Sequence, residues 1–210
     1  MYIPPAFRVD DKEKLLSAIR EARLGLLLTN GENGAPPDLT PVPWHVEADN
    51  SALTCHVAKA NPHAKIPAEG IPASVVFMGP DAYISPNWYA AKALTHKVVP
   101  TWNYSIIRVT GRLMPFSDSE RLLALLNSLT NRHEAGEPKP WSTADAPPDF
   151  LAAHMKGIVG LSLEIESIEG KAKLSQNRPA EDFDGVTAAL SQKPDPRDQA
   201  LARDMLALPR

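Results

Sequence analysis

The stretch FMGPDAYISPNWYAAKALTHKVVPTWNY, residues 77–104, concentrates the aromatic residues of the chain. It contains six of the thirteen Phe, Trp and Tyr residues, and prolines interrupt it at positions 80, 86 and 100. Aromatic rings mixed with such breaks are not typical of one regular element. The stretch predicts two strand ends joined by an irregular connection, which presents flat rings either to a ligand or as an aromatic corner of the core.

Apolar runs on both sides of this stretch predict a sheet of six or seven strands. In one run, Ile107, Val109 and Leu113 alternate with polar residues, as in a half-buried strand. The alternation breaks near Ser167, which predicts a bulge or bend there. The main predicted strands are residues 24–30, 39–47, 52–59, 73–79, 104–116 and 158–175.

Helices are predicted between and after these strands. The segments are residues 10–24, a helix capped by Ser117 with Glu120, residues 150–156, and two terminal helices within 176–208. Residues 30–38 have the composition of a turn. Strand and helix do not alternate throughout, which argues against a doubly wound parallel sheet. The expected fold is mainly β (α+β), an antiparallel closed or split β-barrel with peripheral and C-terminal helices.

Composition and charge limit the class of protein. The 210 residues fit one large domain, or a domain with an arm, and the formal net charge is −3. No basic block supplies the electrostatic footprint of a nucleic-acid-binding protein. Cys55 is the single cysteine, which fits a reducing compartment. Without a signal peptide or an apolar run long enough for a membrane span, a cytoplasmic protein is expected.

Few motifs in the chain carry recognisable chemistry. Six histidines are present, but none has the spacing of a zinc site, so no metal is predicted. His45 and His56 lie on neighbouring predicted strands and could approach each other, although structural roles are favoured. The chain has no G-x-S-x-G elbow, P-loop or G-x-G-x-x-G motif. Cys55 lies in the middle of a strand and is interpreted as a small buried hydrophobe.

Residues 56–62, HVAKANP, have the pattern of an anion site. The segment ends a strand and opens a helix, so Lys59, Asn61 and the first free backbone N–H groups should lie together. Such a helix start beside a cation can bind phosphate. A solvated turn would have the same short pattern. Together with the aromatic stretch, however, a phosphate site suggests flavin mononucleotide (FMN).

The chain resembles the PaiB-like family of FMN-binding split-barrel proteins, which are often labelled negative transcriptional regulators. The resemblance follows the family's order along nearly the whole length. The matching pieces are MYIPPAF at the start, HVAKANP (56–62), FMGPDAYISPNWY (77–89), VPTWNY (99–104) and KLSQNR (173–178).

This resemblance implies a homodimer of split barrels with one FMN at each end of the dimer interface. It implies that Lys59 and Asn61, with His56 close by, bind the phosphate. The residues that it places along the flavin are Thr40, Pro41, Ser85, Trp88, Tyr89, Thr101, Trp102 and Asn103. Lys173, Gln176, Asn177 and Arg178 would come from the last strand and its exit, in the same chain or in the other subunit. Residues 1–175 would form the barrel domain, and 176–210 a helical arm that packs on the barrel or on the partner.

Three functions remain open at this point. A flavin-binding negative regulator is favoured, although the charge pattern gives no support for direct DNA binding. A flavin-dependent oxidoreductase is the first alternative, with His56 and His96 as the nearest candidates for an acid or base. A haem-binding or haem-degrading protein is the second. A homodimer also agrees with the polar strand face of Arg108, Thr110 and Arg112, which should need a partner surface.

Overall fold

The computed structural model describes residues 1–31 and 35–208. Residues 32–34, part of the predicted turn at 30–38, lie outside the described residues. The helices are α1 (Lys12–Glu21), α2 (Ala91–Thr95), α3 (Ser119–Glu134), α4 (Pro148–Met155), α5 (Ala180–Ser191) and α6 (Pro196–Leu206). The strands are β1 (Arg8–Val9), β2 (Gly25–Thr29), β3 (Asp38–Val42), β4 (His45–Val46), β5 (Ala52–Ala58), β6 (Ile71–Ile84), β7 (Thr101–Phe116) and β8 (Ile158–Lys173).

Within the described part of the chain, eight strands form one antiparallel sheet. Their order is β3-β2-β6-β7-β8-β5-β4, and β1 pairs with β8. The two edge strands, β3 and β4, are linked only by Pro43 and Trp44, and β3 also contacts β5. The two edges therefore lie next to each other, as in a sheet that curls into a barrel. The prediction of an antiparallel split β-barrel with peripheral helices is confirmed.

The run at residues 39–47 forms two strands rather than the single strand predicted. Pro43 has no N–H group to donate to a neighbouring strand, and it follows Val42, the last residue of β3. β3 then pairs with β2, whereas β4 pairs with β5. The predicted alternation continues through the break, because Val42, Trp44 and Val46 are all buried.

Strand β7 shows the predicted side-chain faces, whereas strand β8 does not. In β7, Val109 and Leu113 are fully buried, in agreement with the alternation. In β8, the four consecutive residues 160–163 are all buried, so burial does not alternate there. The bulge or bend near Ser167 stays a prediction. The aromatic stretch is confirmed as two strand ends, of β6 and β7, joined by an irregular connection that contains α2.

The chain divides into two compact units. The central unit comprises Lys12–Phe77 and Arg108–Ile168. The terminal unit comprises Met1–Asp11, Met78–Ile107 and Glu169–Arg210. The sequence predicted a different kind of division, into a barrel domain, 1–175, and a helical arm, 176–210. That division stays a prediction.

Buried side chains on neighbouring strands form the core of the central unit. Leu53 lies opposite Leu163, and Cys55 lies opposite Leu161, on β5 and β8. All four side chains are completely buried. Trp44, in the link between β3 and β4, is also buried, and its indole N–H donates to the carbonyl oxygen of Gly25 at 3.3 Å. Burial of these apolar side chains is the main source of stability for such a barrel.

The core of the terminal unit is formed largely by α5 and α6, which pack against each other. Both helices were predicted. The Ala91 N–H donates to Asp182 Oδ1 at 2.9 Å, which connects α2 to α5. The buried residues of this core are Ala82, Ile84, Tyr89, Leu174, Phe183, Val186, Leu190, Leu201, Ala202 and Met205.

The start of α3 differs from the prediction by one residue. Asp118, not Ser117, is the N-cap, and its carboxylate accepts a hydrogen bond from the Arg121 N–H at 2.7 Å. Aspartate and serine are about equally good N-caps, so the sequence Ser-Asp-Ser did not fix the boundary. None of the helices in the described ranges is long and apolar enough to cross a membrane.

Candidate functional site

His63 is the centre of a hydrogen-bonded cluster in the central unit, and it was not among the predicted site residues. Its side chain is only 1% exposed. Nδ1 lies 2.9 Å from Thr40 Oγ1, and Nε2 lies 3.1 Å from Thr29 Oγ1. Asn61 Nδ2 donates to Thr40 Oγ1 at 3.2 Å. The cluster therefore joins β2 and β3 to the turn that follows β5, and it brings together two predicted residues, Thr40 and Asn61.

The backbone N–H groups at this turn are already bonded. Pro62 has no N–H, the His63 N–H donates to Asn61 Oδ1 at 2.9 Å, and the Ala64 N–H donates to the Asn61 carbonyl oxygen at 3.0 Å. The turn continues as a short 3-10 helix, Pro62–Lys65, rather than as a longer helix. The prediction that free N–H groups lie here is therefore wrong at these positions. At these positions an anion would depend on side chains.

Lys59 and His56 supply such side chains at the end of β5. The Lys59 N–H donates to the Gly157 carbonyl oxygen at 2.9 Å, while its exposed ammonium group has no hydrogen bond or ion pair with residues 1–31 and 35–208. The buried Nδ1 of His56 has no hydrogen-bond partner among these described residues either. Burial lowers the pKa of His56 below its ordinary value of 6.5, which favours a neutral ring. Pro41, on β3, is exposed.

Lys173, predicted to bind a flavin, contacts two other predicted residues of the terminal unit. Its ammonium group donates to Thr101 Oγ1 and, at 2.7 Å, to the carbonyl oxygen of Trp102. Burial lowers the pKa of Lys173, and the nearby cations Lys171 and Arg178 lower it further, against the opposite effect of the Tyr104 phenol. The structure thus brings Thr101, Trp102 and Lys173 together within one chain, while their contact with a flavin stays a prediction.

Tyr89 and Asn103, also predicted to border a flavin, are internal. Tyr89 is 3% exposed, and the guanidinium carbon of Arg178 lies 4.8 Å from the centre of its ring. Asn103 is 1% exposed, and its Nδ2 donates to Ser175 Oγ at 2.9 Å. Asn103 Oδ1 is buried and has no partner among the described residues. These side chains support the interior of the terminal unit, and their contact with a cofactor stays a prediction.

Gln176 stabilises the turn that leaves β8. Its side-chain amide accepts a hydrogen bond from the Leu174 N–H and donates to the Ala172 carbonyl oxygen. Ser175, between them, has a left-handed backbone with φ of 62°. Asn177, the next residue, is exposed. The amide of Gln176 is therefore occupied by the backbone of its own turn.

Ser85, Trp88 and Trp102 line a cavity of about 450 Å³ in the terminal unit. Ser85 Oγ accepts a hydrogen bond from the Asn87 N–H at 3.2 Å and caps the short 3-10 helix Pro86–Trp88. Residues of α6 and of the α5–α6 connection also line the cavity, and no site role was predicted for them. The other lining residues are Asp81, Ala82, Tyr83, Lys193, Arg197 and Asp198.

The polar face of β7 has partners within the chain. Thr110 Oγ1 lies 2.7 Å from Ser167 Oγ. The Arg112 guanidinium donates to the carbonyl oxygens of Glu69 and Gly70, both at 3.0 Å. The argument that this face needs a partner surface is therefore wrong for Thr110 and Arg112.

No metal site is found in the ranges that the structure describes, where no three His, Cys, Asp or Glu side chains are grouped for an ion. His45 lies opposite Thr54 in the β4–β5 pair, not opposite His56. Cys55 is completely buried, and burial raises the pKa of its thiol well above the ordinary value. This agrees with its interpretation as a small buried hydrophobe.

Comparison with known proteins gives the family. The model of a family described as "Putative FMN-binding domain" matches residues 1–167. The chain is also similar to protease synthase and sporulation protein PAI 2 of Bacillus subtilis. The two are 29% identical over 205 residues, which cover 98% of this chain and 96% of the relative.

Two solved structures share the fold at low sequence identity. One is the conserved hypothetical protein Rv2991 from Mycobacterium tuberculosis, with 14% identity and a TM-score of 0.61, covering 85% of this chain and 94% of that chain. The other is the FAD and heme binding protein from Mycobacterium smegmatis, with 19% identity and a TM-score of 0.57, covering 79% and 73%. Since the family model covers well over half of the chain, this protein belongs to the family of putative FMN-binding domains and is PaiB-like.

Proposed function

We propose that this protein is an FMN-binding, homodimeric negative regulator of transcription. The observation that carries the proposal is the family match over residues 1–167. The similarity to the B. subtilis sporulation protein extends over 98% of the chain and supports a regulatory role. A cytoplasmic location is part of the proposal, supported by the single, buried cysteine.

The residues at the end of β5 fit the phosphate of FMN. Lys59 offers an ammonium group without a competing carboxylate among the described residues. His56 has a buried ring nitrogen whose hydrogen-bonding capacity is unused among them. The cluster of Thr40, Asn61 and His63 positions the adjoining turn. A lysine acts on phosphate as a point charge, so we assign charge neutralisation to Lys59 and orientation to the turn.

Lys173 would be a further FMN contact, from the same chain or from the other subunit of the homodimer, as the family resemblance implies. When bound, FMN supplies the capacity to accept and donate one or two electrons. Lys173, fixed against Thr101 and the Trp102 backbone, offers a cation whose position is set before any ligand arrives. Such preorganisation lowers the entropy cost of binding. We assign to Lys173 the role of orienting an electronegative edge of the ligand.

Exposed apolar side chains support the homodimer. Met78, Leu94 and Val99 of the terminal unit are 61%, 83% and 65% exposed. A second copy that covered them would bury apolar surface in the usual two-fold arrangement. Light scattering should then give twice the chain mass of 22.8 kDa, and a mass equal to one chain would contradict the homodimer.

Regulation is proposed to act through a partner or a small molecule rather than by direct DNA contact. With a net charge of −3 and no basic block, the protein has little electrostatic attraction for the phosphates of DNA. A gel shift at about 0.15 M salt should therefore show no sequence-specific binding, since non-specific contacts are screened there. A tight, specific shift would contradict this route.

The proposal is tested by an absorption spectrum and by transcript levels. Protein mixed with FMN and freed of excess ligand should keep the bands of an oxidised flavin. A retained haem spectrum, or protein without colour, would contradict FMN binding. In cells that lack the gene, transcripts under its control should increase, and the intact gene should restore repression. Unchanged transcripts would contradict the regulatory role while leaving flavin binding to the spectrum.

A further inference from the structure

The cavity of about 450 Å³ in the terminal unit combines aromatic walls with charges of both signs. Tyr83 and Trp102 form an edge-to-face pair, with ring centres 6.0 Å apart and planes at 73°. Their side chains are 47% and 54% exposed, so their surfaces are open to a ligand. Trp88 provides a third ring. Walls of this kind favour a ligand that contains a flat ring.

Two carboxylates and two cations line the same cavity. Asp81 comes from β6 and Asp198 from α6, while Lys193 and Arg197 come from the α5–α6 connection and the start of α6. The presence of both signs does not favour an anion or a cation alone. It favours a ligand that carries both.

Most of these charges have no partner of their own. Neither Asp81 nor Asp198 forms a side-chain hydrogen bond or ion pair with the residues described, 1–31 and 35–208. The Lys193 ammonium group likewise has none, and it lies 5.5 Å from the centre of the Trp88 ring. Arg197 differs, because it pairs with Asp195 at 2.9 Å. Asp195 first, and Asp81 and Asp198 more weakly, raise the pKa of Arg197, so both cavity aspartates lie near this cation without an ion pair to it. Asp81, Asp198 and Lys193 therefore keep hydrogen-bonding capacity that a ligand can use.

We propose that this cavity binds a small aromatic zwitterion, of the chemical class of an aromatic amino acid. Lys193 binds its carboxylate, Asp81 and Asp198 bind its ammonium group, and Trp88 and Trp102 pack against its ring. FMN suits the cavity less well, because its phosphate is dianionic and it has no cationic group for the two aspartates. Ser85, Trp88 and Trp102, which the family resemblance placed along the flavin, are thus assigned to this second ligand instead. The site is distinct from the phosphate contact proposed at Lys59, and it does not depend on flavin binding.

Calorimetric titration of the purified protein tests the proposal with three probes. L-Tryptophan carries both charges, tryptamine only the positive charge, and indole-3-acetate only the negative one. We expect saturable binding of tryptophan, at least about tenfold tighter than that of either analogue. No saturable heat at about 10 mM tryptophan, or equal affinity for the three probes, would overturn the proposal.

Substitutions assign the charges. Lys193→Ala should remove most of the preference for tryptophan over tryptamine, and Asp81→Asn most of the preference over indole-3-acetate. Trp102→Ala, which removes an exposed ring, should weaken the binding of all three probes. Lys12→Ala, at an exposed lysine of α1, is the matched control and should change none. A loss in Lys12→Ala equal to that in Lys193→Ala would overturn the assignment.

Competition with FMN separates this cavity from the flavin site. Tryptophan should bind with the same affinity when FMN is present in excess. Displacement of tryptophan by FMN would overturn the proposal, because it would show that the cavity is the place where the flavin binds. Absence of FMN binding would contradict the proposed function alone, since the titration of tryptophan does not require the flavin.

Discussion

The Nδ1 atom of His63 lies 2.9 Å from the hydroxyl oxygen of Thr40. Through this contact, a buried imidazole connects strand β3 to the turn after β5, which begins at the proposed phosphate ligand Lys59. The opposite ring nitrogen is bonded to Thr29, so neither nitrogen is left without a partner. The cluster therefore gives the turn a defined position, and it explains why the buried polar ring is tolerated.

Thr40→Val should destabilise the protein. The substitution keeps the shape of the side chain but removes the oxygen that His63 and Asn61 contact. Leaving a buried polar group without its partner costs about 1–3 kcal/mol. Urea denaturation should show this loss, while Thr130→Val, on a half-buried residue of α3 whose hydroxyl has no partner among the described residues, should change the free energy of unfolding by less than about 0.5 kcal/mol. Equal effects would contradict the structural role of the cluster.

Stability should decrease as the pH falls below 6.5. Burial lowers the pKa of His56 and of His63 below that ordinary value, against a weaker opposite effect of Asp38 on His63. The unfolded chain then binds more protons in this range, so stability is complete above pH 6.5 and is lost toward the lower folded pKa values. Each histidine contributes at most about 1.4 kcal/mol per pH unit.

Urea midpoints at about pH 7.5 and about pH 5.5 measure this effect. His63→Gln and His56→Gln should each reduce the difference between the two midpoints. His154→Gln, at an exposed histidine of α4, is the control and should leave the difference as it is in the original protein. If all three variants keep the original difference, the buried histidines are not its source.

Gly185→Ala should destabilise the terminal unit. A Cβ atom on Gly185 would lie 2.2 Å from the Trp88 carbonyl oxygen, so α5 would have to move away from the Pro86–Trp88 turn. Overpacking of this kind costs about 1–3 kcal/mol. Gly136→Ala is a matched control, because a Cβ there meets nothing within 4 Å. A thermal unfolding midpoint that decreases equally in both variants would contradict the close packing.

Cys55 should react with a thiol reagent only after unfolding. Its side chain is completely buried on β5, so a reagent cannot reach it in the folded protein. Burial also raises the pKa of the thiol, so the reactive thiolate is not formed. Titration with a chromogenic disulfide should detect no thiol in buffer and one thiol per chain in denaturant. Rapid reaction of the folded protein would show that β5 opens readily.

The sequence predicted most of the fold because hydrophobic alternation is a strong local signal. Val109 and Leu113 are buried where the alternation placed them. Two errors have local causes. The predicted strand at 39–47 is divided into β3 and β4 because Pro43, between them, cannot donate a backbone hydrogen bond. The cap of α3 is Asp118 rather than Ser117 because three adjacent residues could each serve as a cap. Strand pairing at distant edges is not encoded locally.

The candidate site was less predictable, because its contacts join segments far apart in the chain. Thr40 and Asn61 were predicted, but the residue that links them, His63, looked like one histidine among six. The cavity walls from Lys193 and Asp198 were missed for the same reason. Both lie among residues of alternating charge around the start of α6, so the sequence alone gave no sign that they line a cavity.

Titration of FMN fluorescence tests the central claim most directly. FMN emission should be quenched saturably by the protein, and Lys59→Ala should weaken binding by about tenfold to a hundredfold, because a charge-assisted contact to phosphate contributes about 1.5–3 kcal/mol. Lys12→Ala, at an exposed lysine of the same unit, should bind FMN as the unsubstituted protein does. The account is contradicted if FMN is not quenched at all, or if the two substitutions have the same effect.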